Sequence, residues 1–359
     1  MFRVITVLGA RPQFIKSAPL SKAFLYEEKI KEIIIHTGQH YDYEMSEIFF
    51  EELKLPKPDY YLSVGSHSHG KQTGLMLKSI EDVLIKEKPD MVLVYGDTNS
   101  TLAGALAAAK LNISVAHIEA GLRSYNRKMP EEINRVLTDR LSSLLFCPTL
   151  NSVENLKKEG IKDGVFHVGD VMYDALLMFI DIAESRSKIL EKQNLKSKEY
   201  VLATIHRAEN TDDPKRLKKI MEIFSYLPFK VVFPIHPRTK KEIKRSSILI
   251  ANNIKIIPPV SYLDMILLEK NSILIITDSG GVQKEAYLLK VPCITLRGET
   301  EWVETVEIGA NRVIGLDEKK LGEAINHFEN FKWQNNINPF GDGKSSEKIV
   351  KIIKEFISV

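Results

Sequence analysis

The sequence predicts an α/β protein built from two Rossmann-like, doubly wound domains, each around a parallel sheet. Three observations predict this fold. Short runs of β-branched and other apolar residues alternate with amphipathic stretches. The runs are apolar throughout rather than at every second position, which is typical of strands buried on both faces of a parallel sheet. The rhythm of run, turn and helical pattern occurs twice along the 359 residues, a length that suggests about two domains.

Each apolar run is predicted to be the strand of a βα unit, because a turn and a helical pattern follow it. In the first half the predicted strands are Val4–Leu8, Ile33–His36, Met91–Tyr95, Ile113–Ile118 and Leu144–Cys147. In the second half they are Tyr200–Ile205, Lys230–Ile235, Ile254–Ile257, Ile273–Thr277 and Pro292–Leu296. The first domain is predicted over 1–172 and the second over 173–343. The final helix, 344–359, follows a Gly-rich turn and is expected to cross back onto the first domain.

Composition predicts an ordinary cytoplasmic protein. The formal net charge is +3 and the hydrophobic fraction is 44%, so neither a nucleic-acid partner nor a membrane is expected. Cys147 and Cys293 lie in different halves, each beside a proline, and are predicted to be buried free thiols in a reducing compartment. The apolar N-terminal stretch is too short for the core of a signal peptide.

The loop after the first strand, VLGARPQFIK, predicts an anion site. It lacks the GxGxxG pattern of dinucleotide-binding folds. Arg11 and Lys16 instead flank a helix start with Pro12 in its first turn, and helix N-termini attract anions. The alternative is that both cations are ordinary surface charges.

Acidic residues follow the strands at Met91–Tyr95 and Ile113–Ile118. Asp97 reads equally well as a helix N-cap or as a catalytic group. Glu119 lies just past the next strand, and Glu131 follows Pro130, where it can charge a helix start or pair with Arg135 four residues on. Carboxylates crowded together would raise the pKa of one of them, which suits a general base or acid.

Basic and Gly-rich loops follow strands in the second half. His206 in ATIHRAEN and His236 in FPIHPRT, each close to an arginine, suit a diphosphate. In TDSGGVQKEA, the run Ser279–Gly281 lies between a strand and a helix, where backbone N–H groups can approach phosphate oxygens. Glu285, about one turn into that helix, suits a ribose diol; the alternative is a surface glutamate.

No metal and no cofactor are predicted. The histidine pairs His67 with His69 and His36 with His40 have no cysteine or carboxylate at metal-ligand spacing. The sequence also lacks an Asp-x-Asp pair and a Walker lysine loop, so cations and helix ends are expected to hold any diphosphate.

These motifs together resemble one family. GARPQFIK, GDT, HIEAGLRS with PEEINR, HRAEN, HPR and DSGGVQKEA are similar to the motifs of the non-hydrolysing UDP-N-acetylglucosamine 2-epimerases, over nearly the whole chain. The resemblance implies the glycosyltransferase-B fold, a homodimer and a UDP-sugar substrate in the cleft between the domains. It also implies interconversion of UDP-GlcNAc and UDP-ManNAc, by anti elimination of UDP to a glycal and re-addition on the opposite face of C2.

The resemblance also implies the roles of individual residues. The predicted catalytic residues are Asp97, Glu119, Glu131, Lys16 and His206. The predicted substrate-binding residues are Arg11, His236, Ser279, Gly280, Gly281, Glu285, Arg135 and Arg297. Within these sets, the resemblance assigns the diphosphate to Arg11, His206, His236, Ser279 and Gly280. It assigns the ribose to Glu285 and proton transfer to the three carboxylates, with Lys16 nearby.

The sequence departs from the common pattern of the family at Trp302 and Val303, which replace an Arg-Pro pair. The departures resemble the branch that acts on UDP-2,3-diacetamido-2,3-dideoxyglucuronic acid in surface polysaccharide synthesis, such as that of O-antigen, so the sugar stays open between the two. Some family members are activated by substrate at a second site, which would fall around Gln39–His40.

Two other functions remain as alternatives. A UDP-sugar-dependent glycosyltransferase of the same fold would need an acceptor groove, and one base normally suffices to activate an acceptor hydroxyl. A non-catalytic UDP-sugar sensor would keep the basic and Gly-rich loops but would have little need for Asp97 and Glu119.

Overall fold

The computed structural model describes residues 1–39, 53, 55–333 and 338–358. The chain divides into two compact units. Unit 1 comprises Met1–Met178 and Asn338–Val359, and unit 2 comprises Phe179–Ile337.

Unit 1 contains a parallel sheet in the order β3-β2-β1-β4-β5-β6-β7. Its strands are β1 (Phe2–Leu8), β2 (Ile30–His36), β3 (Tyr60–Tyr61), β4 (Met91–Tyr95), β5 (Ser114–Ile118), β6 (Leu144–Cys147) and β7 (Val165–His167). The helices described along this part of the chain are α1 (Arg11–Leu25), α2 (His69–Glu87), α3 (Asn99–Lys110), α4 (Pro130–Leu141), α5 (Leu150–Lys158) and α6 (Val171–Arg186), with α15 (Ser345–Ile357) at the end of the chain.

Unit 2 repeats this arrangement with the order β10-β9-β8-β11-β12-β13, again with parallel pairing. Its strands are β8 (Tyr200–Thr204), β9 (Lys230–Pro234), β10 (Ile254–Ile257), β11 (Leu274–Thr277), β12 (Cys293–Thr295) and β13 (Asn311–Val313). Its helices are α7 (Ile189–Lys192), α8 (Ala208–Thr211), α9 (Pro214–Ser225), α10 (Pro237–Arg245), α11 (Tyr262–Asn271), α12 (Gly280–Leu288), α13 (Val303–Glu307) and α14 (Glu318–Asn330).

The central strands are buried on both faces, as their continuous apolar runs predict. Every residue of β4 and of β8 is buried. In unit 1 the sheet packs against the Ala-rich α3, where Ala103, Ala105 and Ala107 have no exposed surface. Small side chains let this helix approach the sheet closely, which places the loop before it firmly at the carboxyl end of β4.

The predicted fold class is confirmed by the two parallel sheets. Each apolar run predicted as a strand forms one, within a few residues at its ends. Three short strands, β3, β7 and β13, are not predicted by the sequence. β3 and β7 lie at the two edges of one sheet and β13 at an edge of the other. Their residues are mostly half-buried or exposed, so they leave no continuous apolar run.

Both cysteines are free and buried, as predicted. Burial and, next, the charge of Asp139 raise the pKa of the Cys147 thiol to about 12. Within the described part of the chain, none of the helices combines the length and apolarity that a membrane crossing requires.

Candidate active site

The order of both sheets reverses at equivalent places, between β1 and β4 in unit 1 and between β8 and β11 in unit 2. In open doubly wound sheets, ligands bind outside the carboxyl ends of the strands at such a reversal. The loops that leave these four strands carry Arg11, Asp97, His206 and Ser279. The topology therefore brings predicted site residues to the position where each fold ordinarily binds a ligand.

Gln13 ties the two loops at the reversal in unit 1 together. Its Oε1 accepts hydrogen bonds from the backbone N–H groups of Gly9 and Ala10, at 2.8 and 3.0 Å. Its Nε2 donates to the carbonyl of Tyr95 at 2.8 Å. This buried glutamine lies within the GARPQFIK motif but is not among the predicted site residues.

Glu119 lies at the end of β5 and forms a salt bridge with Lys16 of α1. Its side chain is almost fully buried, and its backbone adopts a φ of +69°, which is uncommon for a residue other than glycine. A Cβ added at Gly96 would lie 3.4 Å from Glu119 Oε2 and 3.9 Å from Lys16 Nζ. The pair therefore lies directly beside the residue that precedes Asp97.

Asp97 is not the N-cap of α3. That position belongs to Thr98, whose hydroxyl accepts from the N–H of Thr101. Asp97 Oδ2 instead accepts from Arg135 Nη2 at 2.5 Å, and its side chain remains 30% exposed. The structure thus removes the capping role that the sequence left open for Asp97.

Arg135 of α4 links two carboxylates. It is buried and contacts Glu132 Oε2 at 3.1 Å in addition to Asp97. Glu132 in turn accepts from the backbone N–H groups of Ser124 and Tyr125, which anchors the loop before α4. Glu131 is half-buried in the first turn of the same helix.

Cations lie between the acidic residues of unit 1. Of the predicted carboxylates, Glu119 is paired with Lys16, and Asp97 is paired with Arg135, which also contacts Glu132. Lys16 and Glu119, and likewise Arg135 and Asp97, are distant in sequence, so the sequence alone did not reveal these two pairs. The arrangement offers two carboxylates, each fixed in place by a cation.

The turn after Glu119 requires glycine at position 121. Gly121 has a φ of +79°, and a Cβ there would lie 2.3 Å from the carbonyl oxygen of Ser152. Gly160 has a φ of +80° but nothing within 4 Å of an added Cβ, so it is a matched control.

Gly121→Ala is expected to destabilise the chain far more than Gly160→Ala. The left-handed conformation alone costs an alanine about 1–2 kcal/mol. Displacing the backbone at Ser152 is expected to add at least about 2 kcal/mol. Thermal unfolding of the two variants measures the difference, and equal midpoints would show that the contact with Ser152 relaxes at no cost.

Asp278 organises the reversal in unit 2. It follows β11, is fully buried, and accepts from the backbone N–H groups of His206 and Arg207 and from Asn210 Nδ2. Burial by itself would raise the pKa of Asp278, but hydrogen bonds from His206, Asn210 and Arg207 hold it below its ordinary value. The His206 ring lies with Nδ1 3.2 Å from Asp278 Oδ1 while 58% of the side chain is exposed. The ring is therefore oriented by a buried carboxylate and open to a ligand.

The N-terminus of α12 lies at the same reversal. Ser279 is its N-cap and accepts from the N–H of Val282. Gly280 begins the helix, and the space where its Cβ would lie is closed by the buried Trp302, whose Nε1 would be 3.2 Å away. Lys284 Nζ lies 4.2 Å from the centroid of the Trp302 ring system. The residue that departs from the family pattern therefore packs directly against the Gly-rich loop.

Arg297 is buried and engaged by Glu301, with Nη1–Oε2 and Nη2–Oε1 distances of 2.7 and 3.3 Å. Arg207 Nη2 lies 3.7 Å from the same carboxylate. The remaining predicted positions differ in exposure: His236 is exposed, Glu285 is buried on α12, and Arg11 is half-buried at the start of α1. His40, the side chain of Arg238 and residues 41–52 lie outside the described residues.

Comparison with known proteins identifies the family. A family model described as UDP-N-acetylglucosamine 2-epimerase matches residues 22–354. The chain belongs to the UDP-N-acetylglucosamine 2-epimerase family. A relative from Methanococcus maripaludis, a UDP-N-acetylglucosamine 2-epimerase homolog, is 56% identical over 98% of this chain and 99% of its own length. A UDP-2,3-diacetamido-2,3-dideoxy-D-glucuronate 2-epimerase from Pseudomonas aeruginosa is 49% identical over 98% and 99%.

A solved structure of the epimerase family gives the same result for the fold. The Methanocaldococcus jannaschii UDP-GlcNAc 2-epimerase in complex with UDP-GlcNAc and UDP is 51% identical, with a TM-score of 0.92 over 99% of this chain and 100% of that one. The resemblance read from the motifs is confirmed, and with it the isomerase class and the glycosyltransferase-B fold. Among the described residues of this epimerase, no group of three or more His, Cys, Asp or Glu side chains is placed to hold a metal.

Proposed function

We propose that the chain inverts C2 of a UDP-linked 2-acetamido sugar without hydrolysis, by eliminating UDP and adding it back. The observation that carries this proposal is the pair of carboxylates, Asp97 and Glu119, at the carboxyl ends of neighbouring strands. Each is held by its own cation, Arg135 or Lys16. Two fixed carboxylates suit a reaction that removes a proton from one face of a carbon and delivers one to the other face.

The chemistry explains why acids and bases are needed together. A C2–H bond of a sugar is not acidic by itself. When the C1–O bond breaks and its electron pair leaves with UDP, positive charge at C1 acidifies the neighbouring C2–H. A carboxylate then takes that proton, and a C1–C2 double bond remains. Protonation of C2 from the opposite face and return of the UDP oxygen to C1 complete the inversion.

Unit 2 supplies the groups that suit the departing diphosphate. The N-terminus of α12 presents backbone N–H groups at Ser279–Gly281, and His206 provides an exposed ring beside it in the fold. Donors that are fixed before the reaction stabilise developing negative charge most effectively. His236, Arg11, Glu285 and Arg297 remain proposed substrate contacts on the basis of the family motifs.

The test is incubation with UDP-GlcNAc and, separately, with the UDP-diacetamido uronate, followed by proton NMR. We expect the C2 epimer of at least one of the two, with no free sugar released. A relative from Methanocaldococcus jannaschii that is 53% identical is named as a UDP-N-acetylglucosamine 2-epimerase, and the Pseudomonas aeruginosa relative at 49% is named for the diacetamido uronate. A glycosyltransferase would leave C2 unchanged in both and consume the sugar only when an acceptor is added.

We also propose a homodimer in the cytoplasm. The support is the family resemblance for the dimer and the two buried free thiols for a reducing compartment. Sedimentation equilibrium tests the dimer, and a single-chain mass at micromolar concentration would contradict it.

A further inference from the structure

His117 is a buried histidine close in the fold to Asp97 and Glu119, the two proposed catalytic carboxylates of unit 1. It lies on β5, two residues before Glu119, and has no exposed surface. Its Nδ1 lies 2.7 Å from Asp139 Oδ1, and its Nε2 lies 2.7 Å from the carbonyl oxygen of Gly96. Gly96 directly precedes Asp97. The imidazole therefore connects helix α4 to the turn that carries one of the two carboxylates.

Both ring nitrogens of His117 face hydrogen-bond acceptors. The carbonyl of Gly96 can only accept. Asp139 Oδ2 accepts two hydrogen bonds, from the backbone N–H of Gly121 at 3.2 Å and from Arg123 Nη1 at 2.7 Å. These are the contacts of an ionised carboxylate, which can only accept. A neutral imidazole would have to turn a lone pair toward one of these oxygens at 2.7 Å. An imidazolium donates to both.

The charges around His117 lead to the same protonation state. Burial alone would lower the pKa of Arg123, but its hydrogen bonds with Glu159 and Asp139 raise it above the ordinary value. Arg123 makes a bidentate contact with Glu159, with distances of 2.6 and 2.9 Å. One arginine therefore faces two carboxylates, the buried Asp139 and the partly exposed Glu159, and a positive His117 makes the net charge of these four residues zero. Burying an unbalanced charge would be costly.

We propose that His117 is a positioning residue that is held as an imidazolium and fixes the Gly96–Asp97 turn for proton transfer at C2. It touches no substrate atom. Gly96 has a φ of +61°, its N–H donates to the carbonyl of Ile118 and its carbonyl faces His117, so the peptides before and after its Cα are both bonded to β5. The hydrogen bond from His117 sets the direction of that peptide and, through it, the position of the Asp97 carboxylate. This inference rests on the proposed role of Asp97.

His327 provides a matched control within the same chain. Its Nε2 also lies 2.8 Å from a glycine carbonyl, that of Gly309. Its Nδ1, however, lies 2.8 Å from Arg312 Nη2, which is a donor. The ring of His327 can therefore accept through Nδ1 and donate through Nε2. The two residues share one contact and differ in whether the second partner accepts or donates.

Long-range proton–nitrogen NMR of the ¹⁵N-histidine-labelled full chain at pH 7.5 tests the protonation state directly. We expect both ring nitrogens of His117 to resonate as protonated nitrogens, and His327 to show one protonated and one bare nitrogen. The signal is assigned by its loss in His117→Gln or, should that variant fail to fold, by elimination with substitutions of the other histidines. A bare ring nitrogen on His117 would overturn the proposal.

Steady-state kinetics tests the positioning role. In His117→Gln, the amide nitrogen can still donate to the carbonyl of Gly96. The same amide then presents its oxygen or its second N–H to Asp139, and the fixed geometry of the imidazole ring is lost. We expect kcat per folded molecule to fall by about 10²-fold, since a small misplacement of a catalytic group has that effect. KM should stay within about threefold, because no substrate contact is removed.

His327→Gln is the control and should leave kcat unchanged. A His117→Gln variant that melts earlier but keeps wild-type kcat per folded molecule would reduce His117 to a structural residue and refute the proposal. Epimerisation by the wild-type chain is measured in the same preparation. Failure of the proposed function would therefore show there, separately from the result for His117.

Discussion

Glu119→Gln is expected to remove almost all turnover while UDP still binds. Glutamine keeps the size of the side chain and a hydrogen-bonding oxygen for Lys16, but it cannot take up a proton. The loss of a general base or acid that acts directly on the substrate is expected to cost roughly 10³-fold in kcat. UDP affinity, measured by calorimetry, should change by less than about threefold, because the lost interaction belongs to the transition state.

Glu154→Gln is the matched control for this substitution. Glu154 is also a glutamate paired with a lysine, Lys157 at 3.4 Å, but the pair is exposed on α5. Its replacement should leave kcat unchanged. Undiminished turnover in Glu119→Gln would remove Glu119 from the catalytic set and leave Asp97 and Glu131 as the candidates for both proton transfers.

His206→Ala is expected to slow the departure of UDP by about 10²-fold or more, the usual effect of removing one donor that stabilises developing charge. The structural reason is the buried Asp278, which holds the ring at 3.2 Å and leaves it open on the other side. The rate of C1–O cleavage, followed as UDP or glycal formation in a single turnover, measures the effect.

His67→Ala is the control for His206, since His67 is an exposed histidine outside the candidate site. Wild-type turnover is expected for it. If His206→Ala instead raised KM alone, His206 would contribute equally to ground-state and transition-state binding, and its assigned role in leaving-group stabilisation would be wrong.

The sequence predicted the fold well because buried parallel strands leave continuous apolar runs. Such a run marks β4 and β8, which are buried at every position. The short edge strand β3 has one half-buried and one exposed tyrosine, so no periodic signal exists to detect it. The candidate site was predictable to the level of loops, because ligand sites of these folds follow the strands.

The pairing of side chains was not predictable in the same way. Lys16 meets Glu119 across 103 residues of chain, and Arg135 meets Asp97 across 38. Only the strand order determines these contacts. The sequence therefore indicated the carboxylates but not the cations that pair with them, Lys16 with Glu119 and Arg135 with Asp97. For Arg135 it suggested only a local partner, Glu131.

His117 shows the same limit. Within β5 it is one polar residue in an apolar run. Its partners lie in the turn after β4 and on helix α4, 21 residues before it and 22 residues after it in the chain. Asp278 is a comparable case in unit 2, although an aspartate directly after a buried strand and before two glycines was a visible signal.

The most direct test of the central claim is turnover of a UDP-linked 2-acetamido sugar in D₂O. We expect the epimerised product to carry one solvent deuteron at C2 and to keep its hydrogen at C1. Product whose C2 retains the original proton in full, or turnover with deuterium at another carbon, would contradict proton transfer by the carboxylates of unit 1.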